Sequence, residues 1–218
     1  ASNSARRQMK AQIRATLTQL PNVYSVSISV ERGPQDIADL PDLMPTVASA
    51  QAVLLEGGEL QFLNGDVAAP IAGTEELVSR TGAFDFALTE SSDWVALKGP
   101  AGVYRSHIGI FGSSPSLIDS RAGQLAPMFD NQNYLWTMTK KAGETVQVTS
   151  PGGIRHSLKL GWLDSFPRRQ FAISAEGARI ALLVGSGQSV HAYVASILRD
   201  KEGLPIAFGA PIEVVGVS

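Results

Sequence analysis

The sequence contains no cysteine. Disulfides, thiol catalysis and thiolate metal sites are therefore excluded within it. A domain of this size does not need disulfides to fold, so the absence assigns no compartment. An excess of basic charge is lacking too. The 18 Lys and Arg against 20 Asp and Glu leave a net charge of −2. That argues against nucleic acid, because neutralising phosphate takes a basic face. No run of about 18 apolar residues offers a membrane span, and no stretch reads as a signal peptide. The common catalytic motifs are missing as well: there is no Gly-x-Ser-x-Gly elbow and no His-Glu-x-x-His helix. What remains is 44% hydrophobic and 17% charged, with 21 Gly and 12 Pro. This is a globular composition with room for one or two domains.

The sequence does carry a repeat. Phe86-Ala87-Leu88-Thr89 returns 85 residues later as Phe171-Ala172-Ile173-Ser174, and Val95-Ala96-Leu97 returns as Ile180-Ala181-Leu182. A looser copy lies between them, where Pro127-Met128-Phe129-Asp130 leads through Asn131-Gln132-Asn133 into Tyr134-Leu135-Trp136-Thr137-Met138. Aligning Val95, Leu135 and Ile180 gives steps of 40 and 45 residues, the period of four-stranded propeller blades.

Taken in order, residues 4 to 20 read as a helix capped by Ser4. Met9, Ile13, Leu17 and Leu20 form its apolar stripe, and the basic residues form a solvated face. Residues 23 to 30 alternate Tyr24, Val26, Ile28 and Val30 with serines, which reads as a strand with one buried face. A single helix and strand cannot make a core. Residues 1 to 33 are therefore expected to be the end of an α/β domain, followed by a linker over 34 to 50. The linker's Asp36, Asp39 and Asp42 lack the glycine and terminal glutamate of a calcium loop.

From residue 51 to 218 the pattern is all β. A three-stranded meander over 52 to 71 carries Asn64-Gly65, a hairpin signal. Blades follow over 84 to 120, 125 to 160 and 170 to 215, the last with an insertion over 199 to 208. The expected fold is mainly β: a partial, incomplete propeller of about three to four blades preceded by a short helix-strand unit. Propellers close with about four to eight blades, and closure removes sheet edges. The array is therefore expected to continue beyond Ser218, or to associate with another copy through its open edge.

Little of the sequence suggests chemistry. His107, His156 and His191 read as surface or rim residues, so no metal site is expected. Glu75-Glu76 reads as part of a loop, and Gly185-Ser186-Gly187-Gln188-Ser189 as a hairpin loop rather than a phosphate cradle. No catalytic residue or cofactor is expected. The connection before the last blade is different. It holds Trp162, Phe166, Arg168 and Arg169, residue types enriched in protein–protein hot spots. These four are the candidate partner-contact residues.

The order of these pieces resembles the actinobacterial lipoprotein LpqB family. The segment Ser4 to Ile13 with Leu17, and then Val23 to Val30, looks like the end of that family's GerMN-type domain. The 52–71 meander, Ala126 to Asp130, Leu135-Trp136 and Phe171 to Val184 look like its propeller. The resemblance implies an extracytoplasmic lipoprotein held at the outer face of the plasma membrane through a lipidated cysteine that this chain lacks. It also implies binding to the extracytoplasmic domain of a sensor histidine kinase, modulating an MtrA–MtrB type two-component system with effects on the cell envelope and division. It carries over no catalytic residue. An alternative is a glycan- or peptidoglycan-binding propeller, or a cell-wall hydrolase, with Trp94, Tyr104, Tyr134 and Trp136 lining a sugar site and paired carboxylates as acid and base.

Overall fold

The computed structural model describes Lys10, Ile13 and residues 27–30, 33–34, 52–109, 113–187 and 189–214. The chain divides into two compact units, Ala1–Val47 and Ala48–Ser218. In the first, Lys10 and Ile13 are helical. Strand β1 (Ser29–Val30) pairs antiparallel with β2 (Gly33–Pro34). Ser27 and Ile28 are not in a strand, so the strand expected over 23 to 30 is confined, among the described residues, to its last two positions. The rest of the expected helix and the linker over 35 to 50 lie outside the described residues.

Among the described residues, the second unit holds four antiparallel sheets that follow one another along the chain. The first holds β3 (Ala52–Glu56), β4 (Glu59–Asn64) and β5 (Val67–Pro70). The β4–β5 corner sits one residue later than the Asn64-Gly65 signal suggests. Asn64 pairs with Val67, and Gly65 takes the positive φ of 63°. A glycine at the first corner position suits a II′ turn.

Helix α1 (Thr74–Thr81) follows, where the sequence reads as a loop. Its buried residues Thr74, Leu77, Val78 and Thr81 recur at three- and four-residue spacing, one helical face. Thr74 fastens that face to the sheet. Its Oγ1 accepts from the Leu60 N–H at 3.0 Å and donates to the Ile71 carbonyl at 2.8 Å. Glu75 and Glu76 lie in the first turn, where carboxylates favour the helix dipole, and Glu76 pairs with Arg80 at 3.5 Å.

The second sheet contains β6 (Asp85–Leu88), β7 (Trp94–Gly99), β8 (Gly102–His107) and β9 (Ser116–Asp119). The third contains β10 (Met128–Phe129), β11 (Leu135–Thr137), β12 (Val146–Thr149) and β13 (Arg155–Leu158). The fourth contains β14 (Arg168–Ile173), β15 (Arg179–Ser186), β16 (Ser189–Arg199), β17 (Pro205–Phe208) and β18 (Ile212–Val214). The expected insertion over 199 to 208 is therefore partly a strand. The long β16 pairs with β17 through Ile197–Arg199 and with β18 through Ala192–Val194. Two short strands thus share the place of a fourth strand.

Among the described residues, three apolar cores hold the sheets together, one at each junction. Leu60, Leu77, Val78, Val95 and Leu97 fill the junction of the first sheet, α1 and the second sheet. Ala96, Val103 and Ile118 meet Leu135 between the second and third. The largest core joins the third and fourth through Trp136, Val146, Val148, Phe171, Ile180, Leu182 and Val184. A sheet covered on both faces needs apolar residues at consecutive positions, which is why Val95, Ala96 and Leu97 are all fully buried. The fourth sheet differs. Its far face, carrying Ala172, Ala181, Leu183, Ala192 and Val194, bears a shallow apolar groove of about 290 Å³.

Candidate functional site

Two buried polar hubs brace the junctions. At the second–third junction Asp119 accepts from the Arg121 guanidinium at 2.6 Å and from the Thr137 hydroxyl at 2.6 Å. Arg121 reaches on to the Thr145 carbonyl at 2.7 Å. Burial alone would raise the Asp119 carboxyl, but these bonds outweigh it and hold it at about 2.

At the third–fourth junction the Asp130 side chain is fully buried. Its Oδ1 accepts from the Gln132 and Tyr134 backbone N–H groups, both at 2.9 Å, and its Oδ2 from Trp136 Nε1 at 2.9 Å and Arg199 Nη2 at 2.6 Å. Arg199 also donates to the Gly177 and Gly203 carbonyls and lies 5.5 Å from the Tyr134 ring. The Asp130–Asn133 turn is therefore a tie between sheets.

The Trp162–Arg169 connection runs from β13 to β14 at the same junction. A 3₁₀ turn, Gly161–Leu163, is anchored by the buried Leu163. Trp162 is half-buried against the core and meets Tyr193 edge-on, with ring centroids 5.9 Å apart. Among the described residues its indole N–H has no partner. Phe166 is 37% exposed and lies 6.2 Å from the His191 ring.

The two arginines separate. Arg168 is only 1% exposed, because β14 has a bulge. Arg168 pairs with Val184, Gln170 with Leu183 and Phe171 with Leu182, so Arg169 is the extra residue. Arg168 and Phe171 then share the buried face. Its guanidinium donates to the Glu144 carbonyl, while Nε and Nη1 have no partner among the described residues. Burial pushes its pKa down, partly offset by Asp164 and Glu144. Arg169 is exposed and grips the next hairpin, donating to the Gly185 carbonyl at 3.1 Å and the Gly187 carbonyl at 2.6 Å.

The connection therefore brings Trp162 and Phe166 together with His191, which the sequence marked only as a surface or rim residue, and with Tyr193, which it did not single out. Ser189, His191 and Tyr193 alternate along β16 and project from one face. Tyr193 stands opposite Glu213 of β18. His191 Nδ1 lies 2.7 Å from Glu213 Oε1, and Nε2 lies 3.3 Å from Ser189 Oγ. The His191 and Tyr193 rings stack at 6.4 Å. The period-two spacing of these residues was the signal that could have found them.

The four aromatics of the sugar-site alternative do not converge. Trp136 is fully buried in the third–fourth core, and Tyr134 packs against that core. Tyr104 packs in the first–second core. Trp94 packs on His107 with the rings tilted by 35°, and Arg105 lies over its ring at 4.4 Å. Among the described residues no group of three or more His, Asp or Glu side chains could hold a metal.

Antiparallel sheets of three to five strands, packed face to face in chain order, are the blade architecture of propeller domains. The family model of the lipoprotein LpqB beta-propeller domain matches residues 58–217, and the chain belongs to that family. A comparison with curated proteins gives no match. No helix among the described residues is long and apolar enough to cross a membrane.

Proposed function

We propose that this chain is the binding module of an extracytoplasmic lipoprotein, and that it docks the extracytoplasmic domain of a sensor histidine kinase of the MtrA–MtrB type. Its role in the cell envelope and division follows from that contact. The observation that carries the reading is the cluster of Phe166, His191 and Tyr193, with Trp162 behind it, at the end of the third–fourth junction of an LpqB-family domain. Half-exposed aromatics on a fixed scaffold make good interface anchors, since they present large area for little lost rotamer freedom. Arg169 holds the hairpin that leads into Ser189 and His191.

The test is a binding measurement between the purified domain and the kinase's extracytoplasmic domain, with a Phe166→Ala/Arg169→Ala double variant alongside. The expected result is micromolar or tighter binding, weakened at least tenfold, or about 1.4 kcal/mol, in the variant. Absence of binding by the unaltered domain removes the kinase from the account. Undiminished binding by the variant removes the patch.

A further inference from the structure

We propose that Ser189 is a reactive nucleophile, activated by His191 and oriented through Glu213, which accepts acyl or phosphonyl groups from ester-type donors. This activity uses part of the same patch but does not require the partner proposed above. An ionised carboxylate only accepts hydrogen bonds, so at 2.7 Å from Glu213 Oε1 the Nδ1 atom carries the proton. In the neutral ring Nε2 then holds a lone pair. The Ser189 hydroxyl lies 3.3 Å away and must donate to it. The relay thus runs one way, from carboxylate to ring to hydroxyl, the arrangement that activates a serine. Catalytic bonds of this kind are often long before substrate binds.

The surroundings suit the role. The Phe166 and Tyr193 rings flank the imidazole, with centroids 6.2 and 6.4 Å from it. Arg169 donates to the Gly185 and Gly187 carbonyls and so holds the turn that precedes Ser189. The His191 and Glu213 side chains are 39% and 48% exposed, so the donor is an accessible ester at the surface.

Ser189 Oγ attacks the acyl carbon and its proton passes to Nε2. The bond from that carbon to the leaving oxygen breaks, and the leaving oxygen takes the proton from Nε2. Water then repeats the sequence to release the acid. With a fluorophosphonate, the Oγ–P bond forms, the P–F bond breaks, fluoride departs and the imidazolium returns its proton to solvent.

The purified chain is treated with a fluorophosphonate and followed by intact mass and peptide mapping. Ser186 is the internal control, since it is exposed and pairs with Ser189 across the hairpin. Ser189 is expected to label about a hundredfold faster than Ser186, the lower range for general-base assistance. His191→Gln is expected to reduce Ser189 to the Ser186 rate. Glu213→Gln slows labelling roughly tenfold and Glu213→Asp restores most of it, with unfolding midpoints unchanged, as a positioning carboxylate requires. Equal labelling of Ser186 and Ser189, or unchanged labelling in His191→Gln, overturns the proposal.

Discussion

Asp130 is the residue whose loss the second unit should tolerate least. Replacing it by alanine leaves Arg199, only 13% exposed, without its carboxylate. Breaking a buried pair from one side costs about 3–5 kcal/mol. The buried Trp136 Nε1–H loses its acceptor as well, a further penalty of about 1–3 kcal/mol that is not fully additive. The expected total is about 5 kcal/mol, against a domain stability of about 5–15 kcal/mol. Arg199→Met acts on the other side of the pair and should cost less, about 2–3 kcal/mol, because Asp130 keeps three N–H donors. The order of the two variants is therefore the sharper prediction. Urea unfolding followed by tryptophan emission gives both values. Thermal midpoints should fall by about 10–20 °C for Asp130→Ala, at roughly 2–4 °C per kcal/mol. If Arg199→Met costs as much as Asp130→Ala, or if both cost under about 1 kcal/mol, the carboxylate is not the hub described.

Three further outcomes are expected. The Asp119 carboxyl, held at about 2, contributes about 2 kcal/mol. A depressed carboxyl gives that stability in full above about pH 5 and loses it as pH falls through about 2. The gap in urea midpoint between the unaltered chain and Asp119→Asn should therefore shrink from pH 6 to pH 2, and a constant gap would contradict the assignment. Thr74→Val orphans the buried Leu60 N–H and should cost about 1–3 kcal/mol in denaturant titration, whereas Thr74→Ser should cost under 1 kcal/mol. Gly185 has φ +117°, and a Cβ there would sit 2.0 Å from the Ser189 carbonyl. Gly185→Ala should lower the thermal midpoint well beyond Gly187→Ala, which meets open space at φ +58° and costs only about 1 kcal/mol.

The β architecture was legible because its signals are local. Strand alternation, the Asn64-Gly65 corner and the Phe86/Phe171 phrase each sit within a few residues, and they placed the strand sets of the second unit. Helix α1 was not legible. Its buried face uses two threonines beside Leu77 and Val78, and its N-cap is Gly73 with no side-chain bond. Neither the apolar stripe nor the capping residue that announces a helix is present. Arg168 shows a second kind of blindness. Counting back from Phe171 in steps of two predicts Arg169 inside and Arg168 outside. The bulge reverses both, and only the pairing with β15 reveals it. The patch at His191 was hidden for a related reason, since Glu213 reaches it only because β18 returns to the middle of β16. The resemblance to the LpqB family rested on the order of segments and holds over 58–217.

Strand β18 has a consequence for timing. All three of its residues are exposed, Ile212 at 72%, so its attachment rests mainly on backbone bonds to Ala192–Val194. Segments with little buried apolar surface open far more often than the fold as a whole. Glu213 rides on this strand, so each opening withdraws the carboxylate from His191 and frees the ring to exchange tautomers. The lifetime of the Glu213–His191 bond is set by the fraying of three residues, while Trp162 and Tyr193 remain fixed to the core. One half of the patch is thus a permanent surface, and the other half has a clock.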